Sequence, residues 1–207
     1  MPTYPPEPFM KIFANAHLKI DNRYATENNF TQKPLPGYYK PDLWLHKDAY
    51  TQVQQALDTV IKMGLTLIVW DAYRPYRATK AMVEWTKRTN QVHLVEEGYI
   101  ARRSRHNSGI AIDLSLMCNG EYLDMGTEWD DFSEKSHILN ADGEVLKNRM
   151  LLQGIMRQHG FIGYSKEWWH FQLPNAASYP FRDIPYHPEE TKEEPNFSAK
   201  LQLGEIA

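Results

Sequence analysis

The chain has 207 residues, of which 42% are hydrophobic and 24% charged, and carries a net charge of −3. At this length a compact fold buries roughly 70% of its extended surface, so no covalent staples are needed. A single cysteine, Cys118, excludes an internal disulfide framework and a cysteine-rich zinc module, and scattered basic residues argue against nucleic acid as the main partner. No run of about 18 apolar residues is present to span a membrane. The opening Met1-Pro2-Thr3-Tyr4-Pro5-Pro6 has no basic stretch leading into an apolar one, which points to a cytoplasmic protein.

In chain order, residues 1–10 are proline-rich and read as an extended lead. A short strand is expected at 18–20, followed over 24–44 by irregular structure rich in Asn, Pro, Gly and Tyr that covers a core. Residues 48–63 have helical spacing: Tyr50, Val53, Leu57, Val60 and Ile61 form one stripe, Asp48 offers a cap and Gly64 a stop. Residues 65–70 are a compact β-rich run that reads as a buried strand. It ends in the loop Asp71-Ala72-Tyr73-Arg74-Pro75-Tyr76-Arg77, where Pro75 turns Arg74 away from helix. A second helix is expected over 77–89. Residues 110–116 alternate, with Ile110, Ile112, Leu114 and Leu116 on one face and Ala111, Asp113 and Ser115 on the other. A short strand over 121–124 and a helix over 147–159, closed by Gly160, come next. Residues 168–173 alternate again, placing Trp169 and Phe171 opposite Trp168, His170 and Gln172. Strands and helices cluster without regular βαβ alternation, which predicts an α+β domain over residues 1–188 with a mainly antiparallel central sheet flanked by helices. Residues 189–207 read as a charged tail.

Two segments place metal-ligand side chains on otherwise apolar strands. The first is Ser104-Arg105-His106-Asn107-Ser108-Gly109-Ile110-Ala111-Ile112-Asp113 and the second Glu167-Trp168-Trp169-His170. If the two strands are neighbours, His106, Asp113 and His170 converge. Two imidazoles and one carboxylate with an open fourth position form a common catalytic zinc set. Glu167 would then serve as base toward the attacking water. Taken singly, each has a plainer reading: a hydrogen-bonded core histidine, a carboxylate paired with Arg103 or Arg105, a solvated loop glutamate. Arg74, between Tyr73 and Tyr76, suits an oxyanion or a carboxylate; its plainer reading is an arginine stacked on tyrosine and paired with Asp71. The remaining histidines (His17, His46, His93, His137, His159 and His187) read as structural or surface residues. His159 suits a helix C-terminus, and His137, after an acidic stretch, is the one that approaches the cleft if any does.

Together, Ser-x-His-x-x-Gly-x-Ala-x-Asp (Ser104 to Asp113) and Glu-x-Trp-His (Glu167 to His170) resemble the signature of zinc D-alanyl-D-alanine peptidases, a set that includes lysostaphin-type endopeptidases and the hedgehog domain. The segments Tyr24-Ala25-Thr26-Glu27-Asn28-Asn29-Phe30-Thr31, Asp71-Ala72-Tyr73-Arg74-Pro75 and Met125-Gly126-Thr127-Glu128-Trp129-Asp130 narrow the likeness to the VanX-type D-Ala-D-Ala dipeptidases, over roughly residues 18–185. The resemblance implies one Zn²⁺ per chain on His106, Asp113 and His170, with Glu167 as base and later proton donor and Arg74 as stabiliser of the tetrahedral intermediate. It implies a small dipeptide substrate, with Tyr24, Ser104 and Asp130 near it. Asp130 is a partner for the α-ammonium, with Asp131 as its neighbouring competitor, and Ser104 a partner for the carboxylate. Trp129 stands where the family more often has Phe, a change expected to narrow the pocket. A D,D- or L,D-carboxypeptidase on wall peptides and a non-catalytic, hedgehog-like zinc domain are the alternatives. The oligomeric state has no signal in the residues.

Overall fold

The computed structural model describes residues 4–39 and 42–186, so the charged tail at 189–207 lies outside the described residues. Its centre is a six-stranded mixed sheet. The strands are β2 (Leu18–Ile20), β4 (Thr66–Asp71), β5 (Ala111–Cys118), β6 (Glu121–Tyr122), β7 (Ile162–Tyr164) and β8 (Glu167–Gln172). The order is β2-β4-β5-β8-β7, with β6 paired to β5. Only β2 and β4 run parallel; every other pairing is antiparallel. The parallel pair arises because the chain leaves β2, passes through helix α1 (Lys47–Lys62) and returns in the same direction, as any parallel connection must. Phe9–Lys11 (β1) and Trp44–His46 (β3) form a separate antiparallel pair.

The aliphatic alternation of β5 is met: Ile110, Ile112, Leu114 and Leu116 are fully buried. Helix α1 buries Ala49, Val53, Ala56, Leu57 and Val60, while Ile61, expected on that stripe, is 39% exposed. The α1 cap also differs from expectation. Strand β3 runs straight into the helix, so His46 occupies the cap position and its Nδ1 accepts from the Asp48 N–H at 3.2 Å. Asp48 instead sits in the first turn and accepts from Tyr179 Oη at 2.9 Å. Helix α2 (Tyr76–Arg88) follows Pro75, and α3 is the single turn His93–Glu96.

Helix α4 (Gly143–Gln158) begins four residues before the expected start and packs against α1, β7 and β8. It buries Arg149, whose guanidinium donates to three carbonyls: Met125 at 2.8 Å, His137 at 2.7 Å and Lys135 at 2.9 Å. These bonds tie both ends of the 125–137 loop to the helix. Gly126 lies at φ +80°, and a Cβ there would meet Val145 Cγ1 at 2.7 Å, so the loop enters by a path open only to glycine. Among the described residues no helix is long and apolar enough to cross a membrane.

Candidate active site

Two irregularities in the sheet build the site. Between β4 and β5 the register runs Val69↔Leu114 and then Asp71↔Asp113, so two residues of β4 answer one of β5. This bulge at Trp70 turns Asp71 onto the face that carries Asp113. Between β7 and β8, Gly163 faces Phe171 while Tyr164 faces Glu167, a break in pairing along β8. Strict alternation puts Glu167 and His170 on opposite faces. The break brings both into one cleft, with Glu167 Oε2 3.9 Å from His170 Nδ1. Bulges beside active sites commonly re-aim side chains in this way.

Strands β5 and β8 are neighbours with Asp113 directly opposite His170, as convergence required. His106 arrives from a short 3₁₀ turn, Arg105–Ser108, closed by Gly109 at φ +69°, where a Cβ would strike the Phe9 ring at 2.6 Å. The turn is stitched to the Arg74 loop. Arg74 N–H donates to His106 O at 3.0 Å, and Asn107 Nδ2 donates to Arg74 O at 2.8 Å and Thr79 Oγ1 at 2.9 Å.

The three proposed ligand atoms sit together. His106 Nε2 is 3.2 Å from Asp113 Oδ1 and 3.1 Å from His170 Nδ1, which is 3.0 Å from the same Asp113 oxygen. His106 Nδ1 lies 2.6 Å from Ala72 O, which only accepts, so Nδ1 carries the hydrogen and Nε2 is bare. His170 Nε2 faces Gln172 Oε1 at 3.4 Å, which leaves its Nδ1 bare in the same way. In these neutral tautomers three lone pairs face one point, an arrangement that suits a cation. Atoms ~2.0–2.1 Å from one tetrahedral zinc stand about 3.3 Å apart. The donor set fits zinc in type and spacing.

Charge leads to the same conclusion. Asp71, Asp113, Asp130 and Glu167 gather around Arg74, while Arg103 and Arg105 also line the cleft. Burial works to raise Asp113, but His106 and His170, when protonated, outweigh it and hold the carboxyl well below its usual range. Glu167 is pushed up to about 8, first by burial and then by Asp113 and Asp130, against His170 and Arg74. Asp130 is raised well above the usual range by burial and by Asp113, opposed by the hydrogen bond from Tyr24. The buried carboxylates crowded beside the three donor atoms favour a divalent ion there.

Arg74 pairs with Asp71 as its plainer reading expects, but it stacks on Tyr24 and not on its neighbours Tyr73 and Tyr76. Its Nε and Nη2 donate to Asp71 Oδ2 at 3.0 and 2.7 Å, and its guanidinium lies 5.1 Å from the Tyr24 ring centre. It also faces the cleft, with Nη2 4.0 Å from Asp113 Oδ2. Asp113 pairs with neither Arg103 nor Arg105 among the described residues. Tyr24 Oη donates to Asp130 at 2.9 Å, and both line the cleft; Asp130 holds φ +63°, a left-handed conformation that Asp tolerates better than most residues. Asp131 is not among the lining residues. Ser104 lines the cleft and its Oγ accepts from the His106 N–H at 3.3 Å, leaving its own hydrogen free to point outward. The cleft holds about 260 Å³.

Other expectations are corrected here. Glu167 is no solvated loop residue: it is 8% exposed. Trp129 does not line the cleft. It packs behind Tyr24, ring centres 4.8 Å apart, and its Nε1 reaches Asp113 Oδ2 at 3.4 Å, a contact Phe lacks. His137 does not line the cleft; its Nε2 meets Tyr99 Oη at 2.9 Å. His159 caps the C-terminus of α4, as expected, and bonds Thr59 Oγ1 at 2.8 Å. Three supporting groups escape a residue-by-residue search: the Ala72 carbonyl, Trp129 and Gln172. Gln172 left a signal, two residues beyond His170 on the same strand face, and Trp129 left one as a departure from the family's usual Phe, though not one that pointed to Asp113.

Comparison with known proteins agrees with this geometry. The model of the family described as D-Ala-D-Ala dipeptidase matches residues 6–189. A D-alanyl-D-alanine dipeptidase of Escherichia coli K12 is 40% identical over 166 residues, covering 79% of this chain and 82% of that protein. One from Enterococcus faecium is 34% identical over 187 residues, covering 82% and 88%. One from Enterococcus faecalis V583 is 33% identical over 176 residues, covering 75% and 86%. With the match running across nearly all the described residues, and with it every strand of the cleft, the chain belongs to the D-Ala-D-Ala dipeptidase family.

Proposed function

We propose that this protein, with residues 1–188 as one catalytic domain, hydrolyses the free dipeptide D-Ala-D-Ala to two D-alanines. We further propose that His106, Asp113 and His170 hold one Zn²⁺ per chain. The observation that carries the reading is the set of three bare donor atoms 3.0–3.2 Å apart, in a cleft that also holds Glu167, Arg74 and Asp130. Zinc, when bound, supplies Lewis acidity toward a carbonyl and makes water more acidic.

The chain's own groups supply the rest. Glu167 takes a proton from the attacking water and returns it to the leaving amine, a role suited to a carboxylate whose proton affinity burial has raised toward neutrality. Arg74, held rigidly by Asp71, faces the oxygen on which charge develops. Asp130, braced by Tyr24, takes the α-ammonium, and Ser104 bonds the carboxylate. Retention of both Glu167 and Arg74 argues against a binding-only zinc domain.

The direct test assays the stereoisomers of Ala-Ala with zinc-loaded and chelated protein. Hydrolysis of the D,D isomer, lost on chelation and regained with zinc, is the expected result, alongside one zinc per chain by elemental analysis. A protein that retains no zinc after reconstitution, or that loads zinc but leaves all four isomers intact, defeats the reading.

Asp130 in the cleft wall carries a second expectation. Blocking the amine removes the charge-assisted bond to Asp130 and leaves that carboxylate buried without its partner. N-acetyl-D-Ala-D-Ala is therefore expected to be a poorer substrate than the free dipeptide by on the order of 10² in kcat/KM. Asp130→Ala narrows that gap, and Asp131→Ala, the matched control, leaves it. Equal hydrolysis of blocked and free substrate by the wild type would replace the dipeptidase with a carboxypeptidase.

A further inference from the structure

The face of β5 that carries Asp113 continues to Ser115, two residues on, and there it lines a second cavity of about 330 Å³. Trp70, at the bulge in β4, lines it too, together with Trp129 and Trp168. The three indoles form an aromatic cluster. Trp129 lies nearly parallel to Trp70 with ring centres 5.8 Å apart, and Trp168 stands edge-on to Trp70 at 6.0 Å. Tyr122, Asp124 and Glu128 in the lining are exposed, so the cavity opens to solvent. Trp129 links it to the catalytic cleft: it lines the second cavity while its Nε1 reaches Asp113 Oδ2 at 3.4 Å.

Two polar groups of this lining are left over by the fold. Trp70 and Ser115 are 4% and 1% exposed, yet Trp70 Nε1 and Ser115 Oγ have no hydrogen-bond partner among the described residues. The other two indole nitrogens are satisfied, Trp168 by Thr127 Oγ1 at 2.8 Å and Trp129 by Asp113. A buried donor without an acceptor is costly, and Phe at 70 or Ala at 115 would remove it. Charge narrows what could meet the two donors. The Arg23 guanidinium lies 5.8 and 5.9 Å from the Trp70 and Trp129 ring centres, but it is already paired with Asp21 at 2.8 Å. Asp124 and Glu128 add negative charge to the lining, which disfavours an anion.

We propose that this cavity is a second binding site, for a small neutral aromatic carboxamide. A planar ring suits walls made of indoles. A carbonyl oxygen has two lone pairs, enough to accept from both the Trp70 N–H and the Ser115 O–H. An amide NH₂ offers donors to the carboxylates of Asp124 and Glu128 without bringing a charge of its own. A concave, largely aromatic cavity with a few polar groups in want of partners is the usual form of a small-molecule site. The site stands apart from the dipeptidase reaction and does not depend on it.

The probe is benzamide, titrated into the full chain and followed by tryptophan fluorescence, since Trp70, Trp129 and Trp168 line the cavity. Saturable binding with a Kd on the order of 1 mM is expected, the strength open to so small a ligand. Benzoate, which carries a negative charge, and benzylamine, which lacks the carbonyl, are expected to bind at least about fivefold more weakly. Trp70→Phe keeps an aromatic wall and removes the N–H, and Ser115→Ala removes the hydroxyl alone. Each is expected to weaken benzamide about fivefold. Ser115→Ala is also expected to melt no lower than the wild type, because it deletes an unpaired group; a lower Tm would show the hydroxyl to be paired within the fold and would overturn the proposal. No saturable binding to the wild type up to about 10 mM means that water alone fills the cavity, and the proposal fails. Undiminished affinity in both variants places the probe elsewhere and overturns it too. So does benzoate or benzylamine binding as tightly as benzamide, which removes the carboxamide class.

Discussion

Glu167→Gln is expected to keep a full complement of zinc while kcat falls by at least ~10². The two properties separate because Glu167 is outside the donor set. The three donor atoms belong to His106, Asp113 and His170, and Glu167 Oε2 stands 3.9 Å from His170 Nδ1. Its burial makes it a strong enough base to accept a proton near neutral pH, with its carboxyl pushed up to about 8 by loss of solvent and by Asp113 and Asp130. Glutamine fills the same volume and keeps the local packing, but it cannot take a proton from water. Measuring kcat together with bound zinc decides the matter. Parallel loss of metal and activity would make Glu167 a ligand or a structural residue.

Arg74→Lys carries the next largest effect, a fall in kcat of ~10²–10³ with KM little changed. Arg74 spends one N–H from Nε and one from Nη2 on Asp71, and Nη1 points one at Met82 Sδ at 3.3 Å. One N–H on each terminal nitrogen stays free for the developing oxyanion. Lysine keeps the charge, but a single ammonium cannot hold Asp71 through two nitrogens and face the cleft as well. A tetrahedral phosphinate analogue of the dipeptide should lose affinity by a factor similar to the loss in kcat. A variant with normal kcat and raised KM would place Arg74 in ground-state binding instead.

The parts of this site that can be read from sequence are those that strict alternation governs. Asp113 among four buried aliphatics, and His170 and Gln172 in phase on their strand, have a period of two that survives folding intact. The 3.6-residue spacing of α1 and α2 is equally plain. Strands β1, β3 and β7 have three residues each, too few for any period to register, and their pairing comes from tertiary contact. The two bulges are invisible for a different reason. A bulge is a property of a strand and its partner together, and neither Trp70 nor Glu167 announces one alone. Yet the bulges decide that Asp71 backs Arg74 and that Glu167 joins His170. The unexpected cap on α1 has the same origin: Asp48 is the better capping residue by type, but β3 delivers His46 to the position first. Ala72 contributes only a backbone carbonyl, which no side-chain pattern can reveal.

Arg149 gives the cleft a hinge-free side. A guanidinium that grips the carbonyls of Met125, Lys135 and His137 fastens the loop bearing Asp130 at entry and exit. That wall cannot swing outward without exposing three carbonyls and a buried cation at once. The Asp130 side of the cleft therefore has its shape fixed before any ligand arrives.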